Sequence, residues 1–133
     1  MITRRFLNGA LVAGALVVVA PLAPSWANSA VPFSPEAFKA AQAAGGPILV
    51  EIHADWCPTC KAQRPILDKL TAESKFKDLK IFQVDFDAQK PAVKQFGAHM
   101  QSTLIVFKGA AEQGRSVGDT KEASIAALLD KSL

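Results

Sequence analysis

Two cysteines, Cys57 and Cys60, stand three positions apart with Pro58 and Thr59 between them, and the 133-residue chain has no others. Thiols at that spacing on the first turn of a helix lie close enough to join as a disulfide. Such a pair can trade two electrons with another dithiol. The thiolate is the reactive form, and the free N–H groups and partial positive charge of a helix start stabilise it. Cys57 is expected to be the exposed nucleophile. Cys60, turned inward, is expected to attack the mixed disulfide. Two other uses of the pair are weaker. A structural disulfide closing so short a loop stabilises little. A zinc site needs two further ligands, and His53 and His99 are the only histidines.

The flanking residues place the thiols where a strand ends and a helix begins. Ile48–Ala54 reads as a central strand, with Ile48, Val50 and Ile52 on one face and Leu49, Glu51 and His53 on the other. Both faces are apolar at its start, so helices should cover both. Behind the cysteines, Ile66, Leu67 and Leu70 recur at helical spacing, giving a helix from Cys57 to about Ser74. Pro58 suits its first position, and Pro65 inside it should bend it.

The remaining elements surround this unit. Asn28–Phe33 is a tail or a short first strand. Ser34-Pro35-Glu36 opens a helix running to Ala44, stopped by Gly45-Gly46, with Phe38 and Ala41 inward. Leu79–Asp85 is a strand with Phe82, Val84 and Phe86 on one face. Ala88–Phe96 is a short helix, and Thr103–Phe107 a further strand. A turn over Lys108–Glu112 leads to a hairpin strand, Gln113–Val117. Asp119 with Glu122 forms a capping box for a last helix that buries Ile125, Leu128 and Leu129.

Ala54-Asp55-Trp56-Cys57-Pro58-Thr59-Cys60-Lys61 after a buried strand resembles the active site of thioredoxin-like proteins. Pro65 and the order of elements strengthen the resemblance. It implies one α/β domain over residues 28–133 with a thioredoxin fold, a central mixed β-sheet flanked by helices on both faces. It also implies a thiol–disulfide oxidoreductase that acts on protein thiols and disulfides with no cofactor beyond the Cys57–Cys60 pair. Glu51 matches the family's buried acid; burial raises a carboxyl pKa, and Glu51 is expected to take the proton from Cys60. Trp56 and Pro58, on either side of Cys57, are expected to meet the partner, Trp56 also shielding Cys57, while Lys61 is a solvated charge. His53 replaces the family's bulky aromatic and, if protonated beneath the dithiol, would stabilise the thiolate.

The departure from the family lies at Gln101-Ser102-Thr103, where a cis-proline usually faces the cysteines. Ser102 occupies that position. A non-proline cis bond costs about 3 kcal/mol, so a trans bond is expected. Gln101 and Ser102 are expected to border the partner, with the Ser102 hydroxyl bonding a thiolate or substrate. His99 in this loop leaves a Cys57, Cys60 and His99 metal site as the rival use.

Residues 1–27 read as a secretory signal. Arg4 and Arg5 precede an uncharged run of 12 residues, Gly9–Ala20, ended by Pro21, and Ser25-Trp26-Ala27 offers a cleavage site. The run is shorter than the ~18–20 residues of a membrane span. Thr3-Arg4-Arg5-Phe6-Leu7 resembles in part a twin-arginine export signal. The expected destination is the bacterial periplasm, an oxidising compartment that suits a chain with no cysteine outside the pair. An uncleaved anchor is the alternative. The net charge of +3 includes both leader arginines, and no basic stripe interleaves with aromatics, so nucleic-acid binding is not expected. Pro-Thr between the cysteines is similar to thioredoxin-like reductants of cytochrome c maturation, and Ala-Asp-Trp-Cys to the periplasmic domain of the membrane reductant conduit. The expectation is a monomeric reductant fed by a membrane electron donor. A periplasmic metal-binding or redox-inert interaction module is the alternative.

Overall fold

The computed structural model describes residues 29–133, so the leader expected at 1–27 lies outside the described residues. The elements run Val31–Pro32 (β1), Pro35–Ala44 (α1), Pro47–His53 (β2), Pro58–Thr71 (α2), a 3-10 turn Ser74–Phe76, Lys80–Asp85 (β3), Lys90–Gln95 (α3), Thr103–Lys108 (β4), Ala111–Val117 (β5) and Glu122–Asp130 (α4). The strands form one sheet in the order β1-β3-β2-β4-β5. β1 and β2 run parallel to β3, whereas β4 pairs antiparallel with both β2 and β5.

The alternation along β2 divides the core as expected. Ile48, Val50 and Ile52 join Phe38 of α1 and Ala92 and Val93 of α3 on one face. Leu49 joins Leu67 and Leu70 of α2 and Ile125, Leu128 and Leu129 of α4 on the other. Burying each such large side chain contributes about 1.5–3 kcal/mol. β2 is thus gripped from both faces, and its end is a fixed platform for the cysteines that follow.

Local chemistry sets α1 and the outer edge of the sheet. The Ser34 hydroxyl accepts the Ala37 N–H at 3.1 Å, Pro35 follows, and Gly45 closes the helix at φ 79°. Phe38 stacks its ring 5.2–5.7 Å from those of Phe33, Phe82, Phe96 and Phe107. The Gln89 amide spans the edge: its Nε2 donates to the Phe33 carbonyl and its Oε1 accepts the Asp85 N–H, each at 3.0 Å.

Four boundaries differ from expectation. α3 starts at Lys90 rather than Ala88, because the Asp85 carboxylate holds the N–H groups of Asp87 and Ala88 in a turn. α2 ends at Thr71, and Ser74 opens the 3-10 turn. The hairpin is tighter than the expected turn over Lys108–Glu112, since Lys108 pairs directly with Ala111. The capping box does not form. Asp119 precedes α4 by three residues, accepting the Lys121 N–H and the Ser124 hydroxyl, and Lys121 holds the cap position without a side-chain bond. Pro65 lies inside α2 as expected.

Candidate active site

Cys57 is the N-cap of α2. Its Sγ accepts the N–H of Cys60 at 3.1 Å, and Pro58 occupies the first helical position. This is the strand-to-helix placement read from the sequence, with one orphan helix donor aimed at the first sulfur. Cys57 and Cys60 are disulfide-bonded, with Cα atoms 5.3 Å apart. The expected difference in exposure is not found: Cys57 is 0% exposed and Cys60 6%. Both pack with Ala54 against Phe86, so apolar contact from the strand end and from the residue after β3 covers the first sulfur as well as the second.

On either side of Cys57 in the chain, Trp56 is 56% exposed and Pro58 lies at the surface. An exposed indole is held in place because its Nε1 donates to the Asp87 carboxylate at 2.6 Å. Asp87 was not singled out in the sequence; only the pairing of β2 with β3 brings it beside Trp56. Lys61 is exposed, as expected.

Glu51 is buried in mid-β2, as its position demanded. Sequence reasoning missed its partner. Arg64, one helical turn after Cys60 on α2, donates from Nη2 to Glu51 Oε2 at 2.5 Å. Gln83 of β3 reaches the same oxygen at 3.5 Å, while Oε1 is buried with no partner. Burial works to lower the Arg64 pKa, but the charge and hydrogen bond of Glu51, then Asp68, more than offset it and raise the pKa above its ordinary value. The site therefore holds a carboxylate–guanidinium pair where burial alone had suggested a lone carboxyl. The i, i+4 spacing from Cys60 to Arg64 was the available signal.

His53 is half-buried, and among the described residues no hydrogen bond joins it to either sulfur. Its Nε2 lies 3.1 Å from the exposed Asp55 carboxylate. Among the described residues, no side chain donates a hydrogen bond to Cys57 Sγ.

Ser102 is buried, and its peptide bond is trans, as expected. The hydroxyl, expected to face a thiolate or substrate, instead donates to the carbonyl of half-buried Gln101 at 2.5 Å. The backbone does more. Ser102 is the only non-glycine residue with positive φ, 59°, among the described residues. Its N–H donates to the Ile52 carbonyl at 2.7 Å, and its own carbonyl accepts the Gly118 N–H at 3.0 Å. That carbonyl also receives the Gln63 amide at 3.2 Å. His99 is exposed, and among the described residues no three of His, Cys, Asp and Glu gather as a metal cradle.

A disulfide that caps the helix after a central strand, with a pinned indole next to it in the chain, can exchange electrons with another dithiol. Comparison with known proteins agrees. The family model described as Thioredoxin matches residues 29–131. The thioredoxin of Chlamydia muridarum is 39% identical over 88 residues, covering 66% of this chain and 84% of that protein. The thioredoxin of Pseudomonas aeruginosa is 31% identical over 90 residues, 68% and 82% respectively. The crystal structure of Trxlp from Edwardsiella tarda matches with a TM-score of 0.74 and 44% identity, covering 76% of this chain and 98% of that one. The chain belongs to the thioredoxin family of thiol–disulfide oxidoreductases, which act on protein disulfides.

Proposed function

We propose that this protein is a periplasmic reductant of protein disulfides. Cys57 as thiolate attacks a partner disulfide, forming a mixed disulfide and expelling one partner thiolate. Cys60 then loses its proton to Glu51 and attacks Cys57 Sγ. The Cys57–Cys60 disulfide forms, the second partner thiolate leaves, and two electrons pass to the partner. An external dithiol or membrane-bound donor must supply two electrons to reset the pair.

The observation that carries the direction is the single N–H donated to Cys57 Sγ, with His53 turned to Asp55. A strong oxidant needs a heavily stabilised reduced form. One backbone donor and no side-chain donor favour a more reducing pair. The leader-like residues 1–27 and the lack of cysteines outside the pair support the periplasmic assignment. The partner lies on exposed Trp56 and Pro58, which flank Cys57 in the chain, and along the loop that carries Met100 and Gln101. The similarity of Pro58-Thr59 to reductants of cytochrome c maturation supports that pathway's apoproteins as partners, and the small, self-contained fold supports action as a monomer.

The test is reduction of insulin disulfides with a chemical dithiol as electron source, together with the reduction potential of the pair. Turnover should vanish in Cys57→Ser, and the potential should lie nearer that of a reductant than an oxidant. A potential nearer that of a strong oxidant, about −120 mV, than that of a reductant, about −270 mV, or turnover surviving in Cys57→Ser, would overturn the proposal.

A further inference from the structure

Gln63 is an amide buried on α2, one turn after Cys60. Its Nε2 donates two hydrogen bonds out of the helix, to the Ser102 carbonyl at 3.2 Å and to the Asp119 carbonyl at 2.8 Å. Those carbonyls belong to different segments, the loop before β4 and the loop after β5. A buried amide is costly to leave unpaired, so its two carbonyl partners are structurally demanding. The segment before β4 has no proline to stiffen it. In its place stand a left-handed Ser102 and the three hydrogen bonds made by its backbone, one of them with the Gln63 side chain.

We propose that Gln63 is a positioning residue for partner recognition. It fastens the 99–102 loop to the helix that carries the dithiol, so that the exposed Met100 and the half-buried Gln101 keep a fixed register against Cys57 and Cys60. This rests on the proposed reaction with protein disulfides. A small disulfide needs only the sulfurs, whereas a polypeptide must also lie along the loop. Gln63 therefore governs the ratio of the two activities, through the KM for the protein substrate.

The experiment compares insulin with 5,5′-dithiobis(2-nitrobenzoate) as electron acceptors for the full chain, wild type, Gln63→Met and Gln63→Glu. Taking the ratio of kcat/KM values cancels differences in folded fraction, which circular dichroism records. In Gln63→Met the ratio should fall about tenfold, chiefly through KM for insulin, the order expected from a small misplacement of a docking element. In Gln63→Glu a carboxylate faces two carbonyl oxygens at neutral pH, so the ratio should fall at least as far. It should recover as the pH is lowered and the acid form regains a donor, a signature that a purely structural role does not give. A ratio within twofold of wild type in either folded variant overturns the proposal. If the wild type itself reduces neither acceptor, the underlying reaction falls instead.

Discussion

Placing a proline at position 102 should destabilise this protein. Proline lacks the N–H that Ser102 donates to Ile52 at 2.7 Å, and the carbonyl it leaves unpaired lies at the end of a buried strand. That loss is about 1–3 kcal/mol. Proline also fixes φ near −65°, whereas Ser102 sits at 59°. The loop must turn over, and the Ser102 carbonyl leaves Gln63 and Gly118, at about 0.5–1.5 kcal/mol each. Relief of the left-handed serine returns about 1–2 kcal/mol. The net loss is about 2.5 kcal/mol, and for a domain of this size that lowers Tm by about 10–20 °C. Thermal and urea unfolding of the oxidised protein, followed by circular dichroism, measures it. Ser102→Ala separates the contributions: it keeps the N–H and loses only the hydroxyl bond to Gln101, so its loss should stay within about 1 kcal/mol. A Ser102→Pro variant as stable as the parent would refute the reasoning, since neither the N–H nor the φ value would then matter.

Removing Arg64 should expose the cost of a buried, unpaired Glu51. Arg64→Met is expected to lose about 1–3 kcal/mol in urea unfolding, and Glu51→Gln in the same background should recover part of it; independent, additive losses would show the pair to be uncoupled. The Asp119 carboxyl is held below its ordinary value of 3.8 by the Ser124 hydroxyl and then the Lys121 N–H. Its contribution is present above pH 3.8 and lost as the pH falls through the lowered folded value, so the Tm difference between parent and Asp119→Ala should shrink on acidification. A difference constant down to about pH 2 would contradict this. Asp87→Ala should free the Trp56 indole, changing its fluorescence and lowering protein-disulfide turnover several-fold, an effect of the size of a lost charge-assisted hydrogen bond. Unchanged fluorescence would mean that the indole is held by something else.

What the sequence revealed and what it concealed divide along physical lines. The dithiol, the strand before it and the helix after it were legible because each rests on local chemistry: period-2 alternation, a proline at a helix start, two sulfurs three residues apart. Glu51 was legible as buried because its neighbours in the strand are apolar. Its pairing with Arg64 was not, because that depends on how α2 is rotated over the sheet. Gln63 concealed its role in the same way, being a polar residue on a helical face that is otherwise core. The partner of the His53 ring was not foreseen: Asp55, two residues on, takes the bond. At Asp119 the capping-box pattern was satisfied by a different geometry: the carboxylate finds Ser124 and the Lys121 N–H, and the helix starts later. Cys57 was expected to be exposed because it comes first of the pair at the helix start, yet in the disulfide form it packs with Ala54 against Phe86.

The Gln89 amide has a consequence for behaviour at high concentration. By accepting from Asp85 and donating to Phe33 it acts as a side-chain rung, prolonging the ladder past the two residues of β1. The outer margin of β3 would otherwise offer backbone donors and acceptors to any extended chain. Pro32, which has no N–H, blunts the same margin. A protein that acts on other polypeptides at one end thus keeps the backbone groups on its flank paired through one glutamine.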